Sequence, residues 1–557
     1  MRKSQPFSWA LYAFVLLVLL WLVLYPNVFV LLQSVQVEGS LSLQHYRSFF
    51  QSQSQFESLR NSVVISLGSV LLSALIGVPL ALLFHRYDFP GKRVFGALVS
   101  LPVLLPPLVG VIAFMFLYGE SGIVTRLLQG LLALDRPPFS LRGPWAILFV
   151  HAYTMYVYFY LFAGAGLRRL DVSLLDAARS LGASRVRVFL TVTLPLLTPA
   201  LVGASLLTFM TSMASFSAPY LFGGGFRVLA LQIYNSKLNG DIGMALVETV
   251  ILSLTSILFL IFLRRYEGTQ RYRSLTKGAT RPLKTVEGRW SRLGAGLTGV
   301  IVTLFLLLPH LTLVLISFAQ DGTWTTEILP PQYTWDNYHR IFSDAHSLEP
   351  ILNSLQMAAL ATAANFLFAF LAAYLLTRRA VRARTLISAL VALPWALPGT
   401  VLALNLITTF NQHRPWQGRY LLVGTFWILP LAYFIRHIPV VTRAVQASFE
   451  QFDPALEEAG RSLGGRWLYV MRRVVLPMVV PGALAGSLLA FVTALGEFVT
   501  SIVIYTVHNR PISIEILAQL RQFNFGTAAA YGVLLVLLIA SVFLASEKYT
   551  SQSEVQI

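Results

Sequence analysis

Glu497 stands in "FVTALGEFVTSIVIY" with no other charge in the stretch. A carboxylate inside an apolar segment is costly enough to mark a solute pathway or a bond to another helix. Both uses are open here. Glu497 could line a polar passage and attract a cation or a hydroxyl-rich solute. It could equally bond a neighbouring helix, or cap a broken one, for which Gly496 supplies the break. Glu248 lies nearer the end of its apolar run and is expected to be solvated. His151 and the tyrosines of "HAYTMYVYFYLF" carry imidazole and phenol groups that suit a hard metal ion, although such rings more often pack and anchor helices at a membrane boundary. His437, beside Arg436, reads as the cytoplasmic end of a helix. Enzymatic chemistry has little else to work with. The chain has no cysteine, which excludes a thiolate nucleophile, a disulfide framework and a cysteine zinc site. It has no HExxH, no nucleophile elbow, no paired carboxylates within its apolar runs and no G-x-x-x-x-G-K-[ST] phosphate loop.

A second kind of site is polar and written twice. The segment "LDAARSLGASRVRVFLTVTLP" (175–195) recurs as "EEAGRSLGGRWLYVMRRVVLP" (457–477), with nine of 21 positions identical. In the first copy Asp176-Ala177-Ala178 reads as a helix start, with its acid near the positive end of the helix dipole. Gly182, after Leu181, interrupts that helix. Residues 184–192 alternate basic and apolar, as a second short helix along the membrane surface would, and Pro195 opens the next apolar helix. Glu458, Ala459, Gly460, Leu463, Gly464 and Pro477 repeat the pattern. One such copy would be an interfacial loop. Two copies in register, with small residues that let a groove close over the backbone, point to a docking surface for a soluble partner.

The elements that hold these segments are membrane helices. Of 557 residues, 56% are hydrophobic and 12% charged, with a mean hydropathy of +0.67, far from globular averages. Twelve stretches are long and apolar enough to span a bilayer: 9–34, 62–84, 95–118, 144–166, 197–222, 244–263, 294–318, 354–376, 386–410, 421–441, 478–505 and 526–545. The first is too long for a signal peptide and lacks a small-residue cleavage site, so it is expected to remain as a helix. With both termini in the cytoplasm, 30 of the 42 Lys and Arg fall on the inner side, as cytoplasmic loops require. The net charge of +18 is then topology and not a nucleic-acid footprint. The repetition extends beyond the polar segment. Asn61-Ser62 aligns with Asn353-Ser354, Leu101-Pro102…Pro106 with Leu393-Pro394…Pro398, and Phe209, Thr211 and Phe216 with Phe491, Thr493 and Phe498. Glu497 falls opposite Ser215. The chain therefore divides into a six-helix module at 1–263, a basic cytoplasmic linker at 264–293 and a second six-helix module at 294–557. The copies are parallel repeats about an axis along the membrane normal, a transporter pattern. Thr211, Ser215, Thr493 and Glu497 are the candidates for lining a pathway between them.

The repeated polar segment resembles the signature loop of inner-membrane permeases of binding-protein-dependent ABC importers: Glu-Ala-Ala, three residues, Gly, nine residues, an aliphatic residue, one residue, Leu-Pro. The first copy fits with Ala177, Ala178, Gly182, Val192, Leu194 and Pro195, and has Asp176 for Glu. The second fits with Glu458, Ala459, Gly464, Val474, Leu476 and Pro477, and has Gly460 for Ala. The resemblance implies an all-α type I importer fold of about twelve transmembrane helices. It makes Asp176, Ala177, Ala178, Leu181 and Gly182, with Glu458, Ala459, Gly460, Leu463 and Gly464, the coupling surface for two copies of an ABC ATPase subunit. ATP and magnesium would sit on those subunits, with no cofactor or metal on this chain, and an extracytoplasmic binding protein would deliver the cargo. Two permease modules fused into one chain look most like the ferric-iron and thiamine permeases. The wording of "GEFVTSIVIYTVHNRPISIEI" (496–516) is nearer the ferric-iron group, with thiamine, a phosphonate and a polyamine also open. An ion-coupled secondary transporter is the reading from another class.

Overall fold

A computed structural model describes residues 6–168, 170–269, 284–285, 288–324, 327–378, 383–412 and 421–554. Eleven helices among them are long and apolar enough to cross a membrane, and a twelfth span forms if one bent pair is counted together. These are Ala10–Ser34, Gln53–Arg86, Pro107–Leu131, Gly143–Arg168, Val186–Met213, Ile242–Leu263, Arg289–Ser317, Ala345–Arg378, the pair Arg384–Ala396 and Gly399–Phe410, Ile428–Gln451, Trp467–Leu495 and Phe525–Ala545. Each corresponds to one of the twelve expected stretches. Most of the expected linker, residues 270–283, lies outside the described residues. Where the chain returns, Lys284–Thr285 pairs in parallel with Tyr87–Asp88.

Proline explains the departures from straight spans. The ninth span bends by 110° between Ala396 and Gly399. The residue before a proline is pushed out of the helical region by the pyrrolidine ring. Leu397 accordingly sits at φ −98°, ψ 127° before Pro398. The expected third stretch, 95–118, breaks at the equivalent point, with Leu105 at φ −75°, ψ 117° before Pro106, so the span itself starts only at Pro107 and runs to Leu131. The expected surface helices at 184–192 are not separate elements. Arg185–Val188 runs into Leu194–Met213 through a π-turn at Phe189–Thr193, and Met471–Val475 does the same in the second copy. Pro195 and Pro477 have no N–H to give the preceding turn and would crowd its carbonyls, so the helix widens there and continues.

The fifth and eleventh spans end earlier than expected. Each stops at Met213 or Leu495, and after a three-residue break a short helix follows, Ser217–Phe222 or Val499–Ile504. The aligned Asn-Ser pairs hold the helices that come next. Ser62 Oγ accepts from the Leu229 N–H at 2.8 Å and Ser354 Oγ from the Ile512 N–H at 2.8 Å. Asn61 and Asn353 Nδ2 donate to the carbonyls of Arg227 and Arg510 at 3.0 and 3.2 Å. These bonds satisfy backbone groups at helix starts that would otherwise be stranded.

The two halves exchange their first spans. Asn405 Nδ2 donates to Asn27 Oδ1 at 2.9 Å, and Trp21 meets Phe410 edge-on at 6.0 Å. In return the seventh span lies on the first half: Tyr153 Oη donates to the Leu306 carbonyl at 2.5 Å, and Gly299 gives room to the Phe95 ring. The main apolar core is accordingly continuous from Val15 to Ile539 and draws on both halves.

Candidate functional site

The repeated polar segment forms a short helix in each half, Val172–Ser180 and Pro454–Ser462, just beyond the ends of the fourth and tenth spans. Neither helix starts where the sequence suggested. Asp171 and Asp453 are the N-caps, accepting from the N–H groups of Ser173 and Ala455 at 2.9 Å each, so Asp176 and Glu458 lie in mid-helix. The missed signal was Asp453-Pro454, an acid at N-cap followed by proline at N1. Asp176 pairs with Arg179 at 3.1 Å, and Arg461 pairs with Glu457.

Both helices end in the same C-terminal motif. Gly182 N–H reaches Arg179 O at 2.8 Å and Ala183 N–H reaches Ala178 O at 3.1 Å. Gly464 and Gly465 make the matching bonds to Arg461 and Gly460 at 3.0 and 3.1 Å. This cap needs a left-handed residue, and Gly182 and Gly464 supply it at φ +81° and +84°. No atom lies within 4 Å of a Cβ built on either glycine, so the backbone angle and not crowding demands glycine there. Gly460 is different. A Cβ there would stand 3.3 Å from Val470 Cγ2, yet the first copy carries Ala178 with Val188 in the equivalent place, so this contact does not explain the glycine.

The turns that follow present apolar side chains outward. Leu181 is 88% exposed and Leu463 90%. Val186 and its counterpart Leu468, and Leu174 and its counterpart Leu456, are exposed as well. Asp176, Ala177, Glu458 and Ala459 are exposed around them, while Ala178 and Gly460 are half-buried. Apolar side chains standing out of a charged segment, in the same places twice, have the composition of an interface.

The candidate pathway residues gather where the broken spans meet. Phe216 and Phe498, equivalent residues after the breaks in the fifth and eleventh spans, touch at 5.8 Å between ring centroids. The pseudo-twofold axis therefore passes between them. Gly496 lies beside Pro106 of the other half, where a Cβ would be 3.1 Å from the proline Cβ. Two further bonds cross the junction: Lys237 Nζ donates to the Val503 carbonyl, and Arg521 donates to Tyr220 Oη while lying over its ring at 5.5 Å.

Glu497 is in the break and not in the middle of a span, and it both caps and pairs. Its Oε1 accepts from the Thr500 N–H at 2.9 Å at the start of the Val499–Ile504 helix. Its Oε2 lies 2.9 Å from Arg436 Nε. Arg436 and His437 consequently sit in the first half of the Ile428–Gln451 helix, His437 buried, and not at a cytoplasmic end. Opposite them, Ser215 Oγ meets His151 Nε2 at 2.8 Å, while His151 Nδ1 lies 2.8 Å from Ser69 Oγ and 3.2 Å from Ser212 Oγ. Both imidazole nitrogens are thus engaged by hydroxyls. The neighbouring tyrosines Tyr153 and Tyr156 donate to the carbonyls of Leu306 and Val99, both at 2.5 Å. Among the described residues no group of three or more His, Cys, Asp or Glu is placed to hold a metal ion. Thr211 and Thr493 bond back to Leu207 and Leu489 one turn earlier, both at 2.8 Å, with Thr493 exposed. Glu248, expected to be solvated, is fully buried and accepts from Ser236 Oγ at 2.9 Å.

Residues 73–272 and 365–548, more than half of the chain, match the family of binding-protein-dependent transport system inner membrane components. The chain is 29% identical to a probable ABC transporter permease, y4fN, of Sinorhizobium fredii, across 98% of both proteins. It is 27% identical to the ferric transport system permease protein FbpB of Actinobacillus pleuropneumoniae, over 87% of this chain and 70% of that one. A sulfate transport system permease, CysT of Salmonella typhimurium, is 32% identical over 47% of this chain and 92% of its own length. With two matched segments that carry the two capped polar helices and the broken fifth and eleventh spans, the chain belongs to the binding-protein-dependent inner-membrane components and is the permease of an ABC importer.

Proposed function

We propose that this chain forms the entire membrane pathway of its importer, as two modules at 1–263 and 294–557 joined by a linker at 264–293, with both termini in the cytoplasm. Two ATPase subunits, carrying the ATP and magnesium, dock on the two polar helices. The contact set is Asp176, Ala177, Ala178, Leu181 and Gly182 in one loop and Glu458, Ala459, Gly460, Leu463 and Gly464 in the other. Closure of the ATPase pair draws the loops together and opens the junction at Phe216 and Phe498 toward a binding protein on the outer face. Thr211, Ser215, Thr493 and Glu497 border the path. The observation that carries this reading is the duplicate presentation of exposed leucines, Leu181 and Leu463, on identically capped helices.

The cargo is ferric iron. Support comes from relatives with ferric names that align over 87 to 89% of this chain, whereas the sulfate permease aligns with less than half of it. The test is uptake of radiolabelled ferric iron by cells producing this chain with its ATPase subunit and binding protein. Uptake of thiamine, a phosphonate or a polyamine in place of iron would overturn the cargo. Uptake by vesicles holding this chain alone, driven by a proton or sodium gradient, would overturn the ATP-driven reading in favour of secondary transport.

A further inference from the structure

The sixth and twelfth spans are entered through the same turn, and one residue of it does not fit. The helices Leu229–Leu238 and Ile512–Arg521 come just before those spans. In one turn the Asp241 N–H reaches the Ser236 carbonyl at 2.9 Å, and in the other the Asn524 N–H reaches the Gln519 carbonyl at 3.0 Å. That closure holds the residue before it in the left-handed region. The first half has Gly240 there at φ +77°, and the second has Phe523 at φ +62°. A side-chain-bearing residue is strained at such an angle. Burial does not offset the strain, because Phe523 is 72% exposed. Strain retained without a return in packing points to a use for the ring.

The ring borders a cavity. A space of about 240 Å³ opens beside it, lined by Asp321, Gly322, Trp324, Phe525 and Gly526 among others. Phe523 and Phe525 meet edge-on at 6.1 Å between ring centroids. Phe116 of the first half lies behind Phe525 and Trp324, at 5.6 and 6.0 Å. The cavity sits where the seventh span has ended and the twelfth begins, at the end of the bundle opposite the polar helices. Gln320 in its lining and Gln522 next to Phe523 are both exposed, as residues at an aqueous boundary are.

The lining carries a charge. Asp321 accepts from the Gly526 N–H through Oδ1 and from Thr527 Oγ1 through Oδ2, both at 2.7 Å, and so caps the helix Phe525–Glu554. The first half caps its sixth span locally, with Asp241 accepting from the Met244 N–H at 3.0 Å. Asn524 stands at the position of Asp241, so the second half draws its acid from a loop 205 residues earlier. The helix end answers about half a unit of that charge. Among the described residues no base is paired with Asp321. Arg521, close to Phe523 in sequence, is turned onto Tyr220 of the first half.

Three aromatic rings beside an acid without a counter-ion suit an organic cation, which ring faces attract once it has shed its water. A hard metal ion needs several oxygen ligands, and both oxygens of Asp321 are already engaged. We propose that this cavity binds an ammonium or guanidinium group carried on carbon, on the extracytoplasmic face of the second half. The group arrives free in the outer medium or at the tip of a basic side chain of the binding protein. With Gly240 at the place of Phe523, the first half lacks the ring, and the outer face loses its twofold symmetry there. The proposal rests on the importer reading only for the identity of that face.

The test uses the full chain assembled with its ATPase subunits in nanodiscs free of choline lipids. Radiolabelled choline is the probe, and its uncharged isostere 3,3-dimethylbutan-1-ol is the competitor, with ionic strength held by sodium chloride. Saturable choline binding is expected, with the alcohol weaker by about fivefold, the scale of one cation–π contact. Asp321→Asn keeps an oxygen for the Gly526 N–H and removes the charge. It should weaken choline about fivefold and leave the alcohol unchanged. Phe523→Gly removes one ring and releases the strained angle, so choline should weaken about fivefold while Tm holds or rises. A merely structural ring would give the opposite pair of results, a lower Tm with choline binding unchanged. Cargo-loaded binding protein is then added. Displaced choline identifies a side chain of that protein as the occupant, retained choline identifies a free solute, and both support the site. No saturable binding, equal affinities for choline and the alcohol, or unchanged choline binding in both variants overturns it. Binding-protein-stimulated ATP hydrolysis, measured on the same sample, reports separately on the importer reading.

Discussion

Valine at Gly182 or Gly464 should loosen the grip of the ATPase subunits while leaving the membrane bundle intact. The geometry separates the two effects. Both glycines are left-handed, at φ +81° and +84°, and no atom waits within 4 Å of a new Cβ. The new Cβ itself meets no neighbour, and the cost that follows from the backbone angle is strain of about 1–2 kcal/mol for a side-chain-bearing residue held in that region. The chain either bears the strain or abandons the conformation. In the second case it loses the 2.8 Å and 3.1 Å cap bonds to Arg179 and Ala178, and it redirects Leu181. Since 1.4 kcal/mol is a factor of ten, each loop should lose about 5- to 30-fold in affinity for its ATPase subunit. The assay is equilibrium binding of the purified ATPase subunit to the nanodisc-embedded chain, with Tm of the chain alone as the control. Asparagine tolerates the left-handed region better, so Gly182→Asn should lose less than Gly182→Val. Wild-type affinity in the valine variants would refute the reasoning. So would equal losses for valine and asparagine, because side-chain size and not backbone angle would then be the cause.

Leu181→Asp and Leu463→Asp each remove a fully presented apolar side chain. Burial of a leucine is worth about 1.5–3 kcal/mol, so ATPase-subunit affinity should fall about 10- to 100-fold per loop in the same binding assay. Asp171→Ala and Asp453→Ala remove N-caps worth about 1 kcal/mol each. Amide exchange of residues 172–180 or 454–462 should accelerate about fivefold, with the spans unaffected. Ser62→Ala and Ser354→Ala strand the N–H groups of Leu229 and Ile512, at about 1–3 kcal/mol apiece. Both should lower Tm measurably, to similar extents, because the two bonds have the same length.

The sequence and the structure agree where one physical cause acts locally and twice. The alignment of Asn61-Ser62 with Asn353-Ser354 was visible as text, and the paired bonds to the following helix starts are its reason. The positive-φ glycines were equally legible, since little else suits their place in the cap. The breaks at Leu105-Pro106 and Leu397-Pro398 were written in the aligned prolines, but the apolar run continues through them, and hydropathy alone reads a straight span. Glu248 was misplaced for another reason. Its position near the end of an apolar run suggests water, yet packing buries it against Ser236 of the preceding helix, a contact that no periodicity announces. Arg436 misled in the opposite sense. An arginine counted toward the positive side by rule belongs to Glu497, a partner 61 residues later in the chain.

The exchanged first spans carry a consequence for biogenesis. Asn27 enters the bilayer 378 residues before its partner Asn405 is made. Its Nδ2 donates to the Val23 carbonyl of its own helix at 2.7 Å, but for that interval its Oδ1 has to wait in or near hydrocarbon, where an unmatched polar group finds no water. Tyr153 waits in the same way for the Leu306 carbonyl, 153 residues later. Each wall is completed in part by the first span of the other half. Synthesis of the first six spans therefore yields an open intermediate, and the seventh span acts as the clasp that begins to close it. A ribosome stalled before residue 289 should leave a protease-sensitive bundle whose protection rises only as the second half emerges.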